Sequence, residues 1–169
     1  MRRHPAGARG AAGPPGAGRH PVLLIAVGNP LRRDDGAAAC VLETLGAIAG
    51  VKARQVMQLA PELAADFEGK RLAVILDADA AGEEVRLDPL PPDEAPAPPL
   101  GHAVSPAEVL RLAHRLFGFS GDCYLCRIPG FDFAHGEGLS AGCAAMVVEA
   151  SRQVRALVER ALAGQKSGR

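Results

Sequence analysis

The chain has 169 residues, of which 48% are hydrophobic and 22% charged, and its formal net charge is zero. These values are typical of one soluble globular domain with a sizeable core. The balanced charge provides no general attraction for nucleic acid or for an anionic membrane surface. No apolar run approaches the ~20 residues that a membrane-spanning helix needs. We therefore expect partners other than nucleic acid or membrane.

The two ends of the chain differ in composition from its centre. Residues 1–21 are rich in Gly, Pro, Ala and Arg, a composition that predicts a disordered tail. We expect a single α/β domain over residues 22–164, followed by a disordered C-terminus over residues 165–169.

The first predicted element is a strand over Val22–Val27. Six apolar residues without alternation indicate a strand buried on both faces, as in the middle of a parallel sheet. Pro30 prevents further strand pairing. Asp34 and Asp35 then follow where a helix begins, and only one of them is needed as its cap. Asp34 can cap while Asp35 projects elsewhere, or the reverse.

Helices and strands alternate along the rest of the chain. Ser105–Glu108 matches a capping box, with Pro106 in the first turn. This alternation predicts a three-layer αβα sandwich with a mainly parallel sheet. The remaining predicted elements are a helix over 34–48, a strand over 51–59, a short helix from Pro61, a strand over 72–76, an edge strand over 84–87, a helix from Ser105, a strand over 124–128 and a helix over 140–163.

Asp77 directly follows the buried strand 72–76. Its carboxyl should emerge at the same sheet edge as Asp35, and this edge is where open α/β sheets bind ligands. A charge at the end of a buried strand is costly unless it is paired or coordinates something. Asp79 would share a face with Asp77 only if extended geometry persisted, and we interpret it as a turn residue.

His102 follows a proline-rich segment (residues 88–99) and precedes the predicted helix start at Ser105. Long connections of this kind are uncommon unless they serve function or are mobile. Two carboxylates and one imidazole, from Asp35, Asp77 and His102, suit a divalent first-row metal such as nickel or zinc with open positions for substrate.

Other motifs in the sequence exclude several kinds of site. Cys123 and Cys126 are three residues apart on a predicted strand and should face opposite sides, which favours two buried structural thiols over a zinc or redox pair. The chain has no Gly-x-Gly-x-x-Gly, Walker-type or Gly-x-Ser-x-Gly motif. We therefore expect no organic cofactor and no serine nucleophile.

These residues together resemble a known family, the endopeptidases that mature the large subunit of NiFe hydrogenases. The resemblance covers about residues 22–163. Its motifs are Gly28-Asn29-Pro30-Leu31 with Asp34-Asp35-Gly36, Asp77 after a buried strand, His102 before Ala107-Glu108-Val109-Leu110, Gln58–Leu63, and Gly136–Ser140 ahead of the last helix.

The resemblance implies a twisted sheet of about five strands between helices on both faces. It implies a cytoplasmic endopeptidase, which we expect to be a monomer, that removes a C-terminal extension from a hydrogenase large-subunit precursor already loaded with nickel. The family's metal-contacting positions fall on Asp35, Asp77 and His102, so these are also the candidate catalytic residues, and the nickel is carried by the precursor. With Asp35 in the site, we expect Asp34 to be its neighbour that caps the first helix. Many members have Glu where this chain has Asp35, so the position of the metal-contacting carboxylate here differs by about one methylene.

The sequence leaves two questions open. The nickel could polarise the scissile carbonyl or activate a water, or an aspartate could act as general base, as in an aspartyl-type endopeptidase, with nickel serving recognition. The alternatives to a maturation endopeptidase are a non-catalytic nickel-checking chaperone with the same three ligands and a metal-dependent hydrolase of a small molecule.

Overall fold

The computed structural model describes residues 20–91 and 104–164. The predicted tails lie almost entirely outside these ranges, as do His102 and most of the proline-rich segment. The elements are β1 (Val22–Val27), a 3-10 helix (Arg33–Gly36), α1 (Ala37–Leu45), β2 (Val51–Val56), a second 3-10 helix (Pro61–Phe67), β3 (Leu72–Asp79), β4 (Arg86–Pro89), α2 (Pro106–Phe117), β5 (Asp122–Pro129) and α3 (Ala141–Ala163).

The described strands form one sheet of five strands in the order β2-β1-β3-β5-β4. β1 pairs in parallel with β2 and β3, and β3 pairs in parallel with β5. The edge strand β4 runs antiparallel to β5. Since β2 and β3 flank β1 on opposite sides, the chain reverses its winding direction at β1, and the gap between the carboxyl ends of β1 and β3 is a topological switch point.

The sheet is covered on both faces, which confirms the predicted three-layer α/β fold. Alternate residues of each buried strand point to opposite sides. Leu24 and Val74 belong to the core cluster that includes residues of α1 and α3. Ile25 and Ile75 belong to the core cluster that includes residues of α2 and the 3-10 helix Pro61–Phe67. Asp77 and Asp79 continue the same alternation as Ile75.

Several predicted boundaries shift in the structure. The first helix was expected over residues 34–48, but α1 begins after a 3-10 turn and ends at Leu45, because Gly46 adopts a φ of 65° that breaks the helix. β2 ends at Val56 rather than at residue 59, and the edge strand lies two residues later than predicted. β3 extends to Asp79, three residues past the predicted end, because β5 pairs with it as far as Pro129.

Both predicted starts of the long helices are confirmed. The Ser105 side chain accepts a hydrogen bond from the Glu108 N–H, and the Glu108 carboxylate accepts one from the Ser105 N–H, which completes the capping box of α2. The Ser140 hydroxyl oxygen accepts from the Cys143 N–H at 3.2 Å and so caps α3. Within residues 20–91 and 104–164, no helix has both the length and the hydrophobicity needed to cross a membrane.

Candidate active site

The loop after β1 holds the Asp35 carboxyl at the sheet edge. The Asn29 N–H donates to Asp35 Oδ2 at 2.8 Å, and the Asp35 N–H donates to the Arg32 carbonyl at 3.1 Å. Gly28 has a φ of 135°, and a Cβ there would lie 1.9 Å from the Asp35 carbonyl oxygen. The end of β1 therefore packs directly against Asp35, and only glycine permits this approach.

Asp34 has a different role from the one predicted. Its side chain makes no capping hydrogen bond to the described helix residues, and it is fully buried at 0% exposure. Asp34 Oδ2 accepts from the Phe131 N–H at 2.7 Å, the Asp132 N–H at 2.9 Å and the Ser140 hydroxyl at 2.7 Å, and Oδ1 accepts from the Ser140 N–H at 2.7 Å. The expectation that Asp34 caps the first helix is wrong; Asp34 instead binds the loop that precedes α3.

Burial alone would raise the pKa of the Asp34 carboxyl. The hydrogen bonds from Phe131, Ser140 and Asp132 outweigh that effect and hold the pKa below its ordinary value of 3.8. Asp34 is therefore a buried charge whose oxygens are compensated by donors from the chain itself.

Backbone hydrogen bonds reinforce the same contact between the two loops. The Arg33 N–H donates to the Gly136 carbonyl at 3.0 Å, and the Gly136 N–H donates to the Leu31 carbonyl at 2.9 Å. The Asp34 N–H donates to the Asp132 carbonyl at 3.0 Å. Arg33 adopts a φ of 45°, a conformation that costs free energy in a non-glycine residue and persists where neighbours fix it.

Asp77 lies near the end of β3, on the face that α2 covers, and is half-buried. Burial raises the pKa of its carboxyl to about 6, and the negative charges of Asp35 and Asp79 add to the rise, against the lowering effect of the Ala78 N–H. The electrostatic effect of Asp35 on Asp77 indicates that the loop after β1 and the end of β3 bring these two carboxyls into one region. The topology places both carboxyls at the switch point between β1 and β3.

Asp79 is both a strand residue and a turn residue. Because β3 stays extended, Asp79 shares a face with Asp77, contrary to the interpretation as a turn residue alone. Its Oδ1 also accepts from the Ala81 N–H at 2.9 Å. Asp79 lines a cleft of about 640 Å³ together with Glu83, Glu84, Arg86 and Arg127. The Arg127 guanidinium donates to Asp88 at 2.7 Å beside this cleft.

His102, the third predicted site residue, lies outside the described residues. Within the described part of the chain, no three His, Cys, Asp or Glu side chains gather as a group that could hold a metal. Asp35 and Asp77 thus supply two carboxyls at the edge, and the assignment of His102 stays a prediction.

The cysteines are separated as their spacing predicted. Cys123 belongs to the core cluster under α2 and Cys126 to the cluster under α3, and both are free thiols. Burial raises the pKa of each to about 12. Both remain protonated at neutral pH and act as buried packing residues.

The contact between Asp34 and residues 131–140 does not follow from the sequence. Its sequence signal was weak: an unexplained second carboxyl beside Asp35, and a helix cap at Ser140 that follows a glycine-rich segment. Nothing in the local pattern indicates that these two segments, about a hundred residues apart, touch.

No protein-family model and no curated protein matches the sequence. Solved structures do match. Hydrogenase maturating endopeptidase HybD from E. coli superposes with a TM-score of 0.65 at 21% identity over 83% of this chain and 93% of that one. The NiFe hydrogenase maturation protease HybD from Thermococcus kodakarensis superposes with a TM-score of 0.61 at 24% identity, over 80% of this chain and 97% of that one. The maturation protease HycI from the same organism superposes with a TM-score of 0.64 at 17% identity, over 84% of this chain and 94% of that one. The chain has the fold of the hydrogenase maturation proteases.

The edge of this maturation-protease fold that carries Asp35 and Asp77 also exposes large apolar side chains. Leu31 in the loop after β1 is 58% exposed, Met57 after β2 is 68% exposed, and Phe131 after β5 is 57% exposed. All three follow parallel strands and so lie at the carboxyl end of the sheet. Exposed apolar groups at the end of the sheet that carries the candidate site are available for contact with another molecule.

Proposed function

We propose that this chain is an endopeptidase of the NiFe hydrogenase maturation family, which removes the C-terminal extension of a nickel-loaded large-subunit precursor. One observation carries the proposal: the loop after β1 and the end of β3 place Asp35 and Asp77 at the switch point of a fold shared with solved hydrogenase maturation proteases. The proposal includes action in the cytoplasm by a monomer, without an organic cofactor.

The proposed roles follow from the chemistry of the residues. Asp35, Asp77 and His102 contact the nickel that the precursor carries, so the nickel is part of the substrate. With a pKa of about 6, the Asp77 carboxyl is mostly ionised at neutral pH and can bind a cation. In the alternative role, without contact to the nickel, this carboxyl is more basic than an ordinary aspartate and can accept a proton from a water that attacks the scissile peptide.

The polypeptide nature of the proposed substrate fits the surroundings of the two carboxyls. The cleft beyond Asp79 is large enough for several side chains of an extended segment. Leu31 and Phe131, in loops at the same end of the sheet, offer apolar contacts to a protein surface. A site for a small molecule is instead concave and mostly apolar, and buries most of its ligand.

The direct test is incubation of the protein with nickel-loaded and with metal-free large-subunit precursor, followed by intact mass measurement. We expect loss of a C-terminal peptide from the nickel-loaded precursor alone. Asp35→Asn and Asp77→Asn should each lower kcat/KM at least about 100-fold, because both remove a carboxylate that fixes the nickel and the scissile bond. Asp122→Asn, an exposed aspartate at the opposite edge of the sheet, is the matched control and should change kcat/KM about twofold at most.

Other outcomes separate the competing functions. Binding of the precursor without release of a peptide would indicate a nickel-checking chaperone. A metal that copurifies with the isolated protein, together with hydrolysis of small esters or amides, would indicate a small-molecule hydrolase. Full cleavage by Asp35→Asn or Asp77→Asn would contradict the role proposed for that residue.

A further inference from the structure

The most heavily compensated charge in the described structure is adjacent to the candidate site but is not one of its proposed nickel contacts. We define the Asp34 clamp as the Asp34 carboxylate with its donors Phe131, Asp132 and Ser140. The clamp joins positions 97 to 106 residues apart in the sequence. Its donors lie on a loop without regular secondary structure, between β5 and α3.

We propose that Asp34 is a positioning residue that fixes the place of the Asp35 carboxyl in the candidate site. The reaction that this serves rests on the proposed function, whereas the contacts themselves do not. Asp34 and Asp35 are consecutive, so a displacement of the Asp34 backbone displaces Asp35. The clamp holds Asp34 by its side chain, and the Asp34 N–H is also bound to the Asp132 carbonyl at 3.0 Å.

The remaining contacts of Asp35 leave it little freedom once Asp34 is fixed. Its N–H is bound to Arg32, its Oδ2 accepts from the Asn29 N–H, and its carbonyl abuts Gly28. Asp35 is thus held between the end of β1 on one side and the clamp on the other. Positioning of a catalytic group within a fraction of an ångström is what determines the rate of an oriented reaction.

The clamp requires a carboxylate specifically. Three N–H groups and one hydroxyl converge on the two Asp34 oxygens, and a carboxylate is a group that only accepts. An asparagine at this position would direct two N–H donors toward groups that also donate. Asp34→Asn therefore opens the clamp while it preserves the size of the side chain.

The test compares Asp34→Asn with Val154→Ala, a buried substitution in the core of α3 that lies 14 residues beyond Ser140 and so about 21 Å along the helix. Both variants are assayed at a temperature at which circular dichroism shows them folded. We expect Asp34→Asn to lower kcat on nickel-loaded precursor about 100-fold with little change in KM, the cost of a misplacement of about 1 Å. Val154→Ala should keep the wild-type kcat even if its Tm falls as far as that of Asp34→Asn.

A second measurement does not depend on cleavage. The amide resonance of Asn29 in a ¹H–¹⁵N correlation spectrum reports the hydrogen bond to Asp35 Oδ2. We expect it to shift in Asp34→Asn and to stay in place in Val154→Ala. If the wild-type protein cleaves no precursor, the proposed function fails, and the Asn29 resonance still decides whether Asp34 positions Asp35.

The proposal is overturned if Asp34→Asn keeps its kcat, if it loses no more kcat than Val154→Ala at equal Tm, or if the Asn29 resonance is unchanged. If Asp34→Asn does not fold, Ser140→Ala replaces it, with Ser105→Ala as matched control. Both serine variants remove a helix cap, but Ser140 alone of the two donates to Asp34. Ser140→Ala should lower kcat about tenfold and shift the Asn29 resonance, and equal behaviour of the two serine variants would refute the proposal.

Discussion

Asp34 and Asp77 are two carboxyls at least partly buried at the same edge of the sheet, and their surroundings shift their pKa values in opposite directions. Asp34 is fully buried, receives hydrogen bonds from Phe131, Asp132 and Ser140, and has a lowered pKa. Asp77 is half-buried, faces the negative charges of Asp35 and Asp79, and has a pKa raised to about 6. Burial is common to both, so burial does not explain the difference.

The difference lies in what compensates the charge. The donors around Asp34 are supplied by the chain itself, so the oxygens of Asp34 are already used. The Ala78 N–H does not offset the burial of Asp77 or its like-charged neighbours. A cation brought by a substrate would compensate Asp77, and this is the arrangement expected of a functional carboxyl. Of these two carboxyls, the one that lacks enough donors from the chain itself is thus the better candidate for chemistry.

The largest expected effect that separates the two carboxyls is on stability. Asp34→Ala should lower the free energy of unfolding by about 3 kcal/mol, because it leaves converging donors without their acceptor. Asp77→Ala should change it by less than about 1 kcal/mol, since the loss of packing is offset by removal of an unfavourable charge. Urea unfolding followed by circular dichroism measures the free energy of unfolding of both variants. Equal losses in the two variants would show that the two carboxyls do not differ in how their charge is compensated.

The second effect is on the pH dependence of stability, which should have opposite signs at the two positions. The contribution of Asp34 is present above its ordinary pKa of 3.8 and is lost as the pH falls through its lowered pKa. The contribution of Asp77 is greatest below 3.8 and is lost as the pH rises through about 6.

Asp77→Asn removes the titration of the Asp77 carboxyl. The free energy of unfolding of this variant, relative to that of the wild type, should rise by about 1–3 kcal/mol between pH 4 and pH 7. Asp122→Asn serves as control, and a difference between Asp77→Asn and wild type that is constant with pH would show that Asp77 titrates normally. The same variant loses cleavage under the proposed function, so stability and activity should change in opposite directions.

The sequence predicted the fold well because the signals that specify it are local. The apolar run Val22–Val27 and the capping box at Ser105 each predict an element from a few neighbouring residues, and both are confirmed. The placement of Asp77 and Asp35 at the same edge of the sheet also followed, since parallel strands bring their carboxyl ends to one edge.

The role of Asp34 could not be predicted, because it depends on contacts across about a hundred residues. A carboxyl at a helix start has a well-known local use as a cap, and the pattern around Asp34 fits that use equally well. The donors at Phe131, Asp132 and Ser140 are backbone groups and a hydroxyl, which leave no pattern of residue types. The end of β3 was likewise misjudged because pairing with β5, rather than local preference, extends it to Asp79.

The smallest expected effect is on KM, and it concerns the exposed surface around Leu31, next to the loop that the Asp34 clamp holds. Leu31 is 58% exposed there, and its carbonyl accepts from Gly136 in the loop that the Asp34 clamp holds. Under the proposed function, the loop that contains Leu31 contacts the protein substrate, while Asp77 contacts the cation that the substrate carries. Leu31→Glu should therefore raise KM for the precursor about tenfold and leave kcat unchanged. Leu116→Glu is the matched control, because Leu116 is 68% exposed at the C-terminal end of α2, toward the opposite edge of the sheet. An equal rise in KM for both variants would contradict a role of Leu31 in substrate binding. A fall in kcat for Leu31→Glu would indicate that this loop positions Asp35 rather than the substrate.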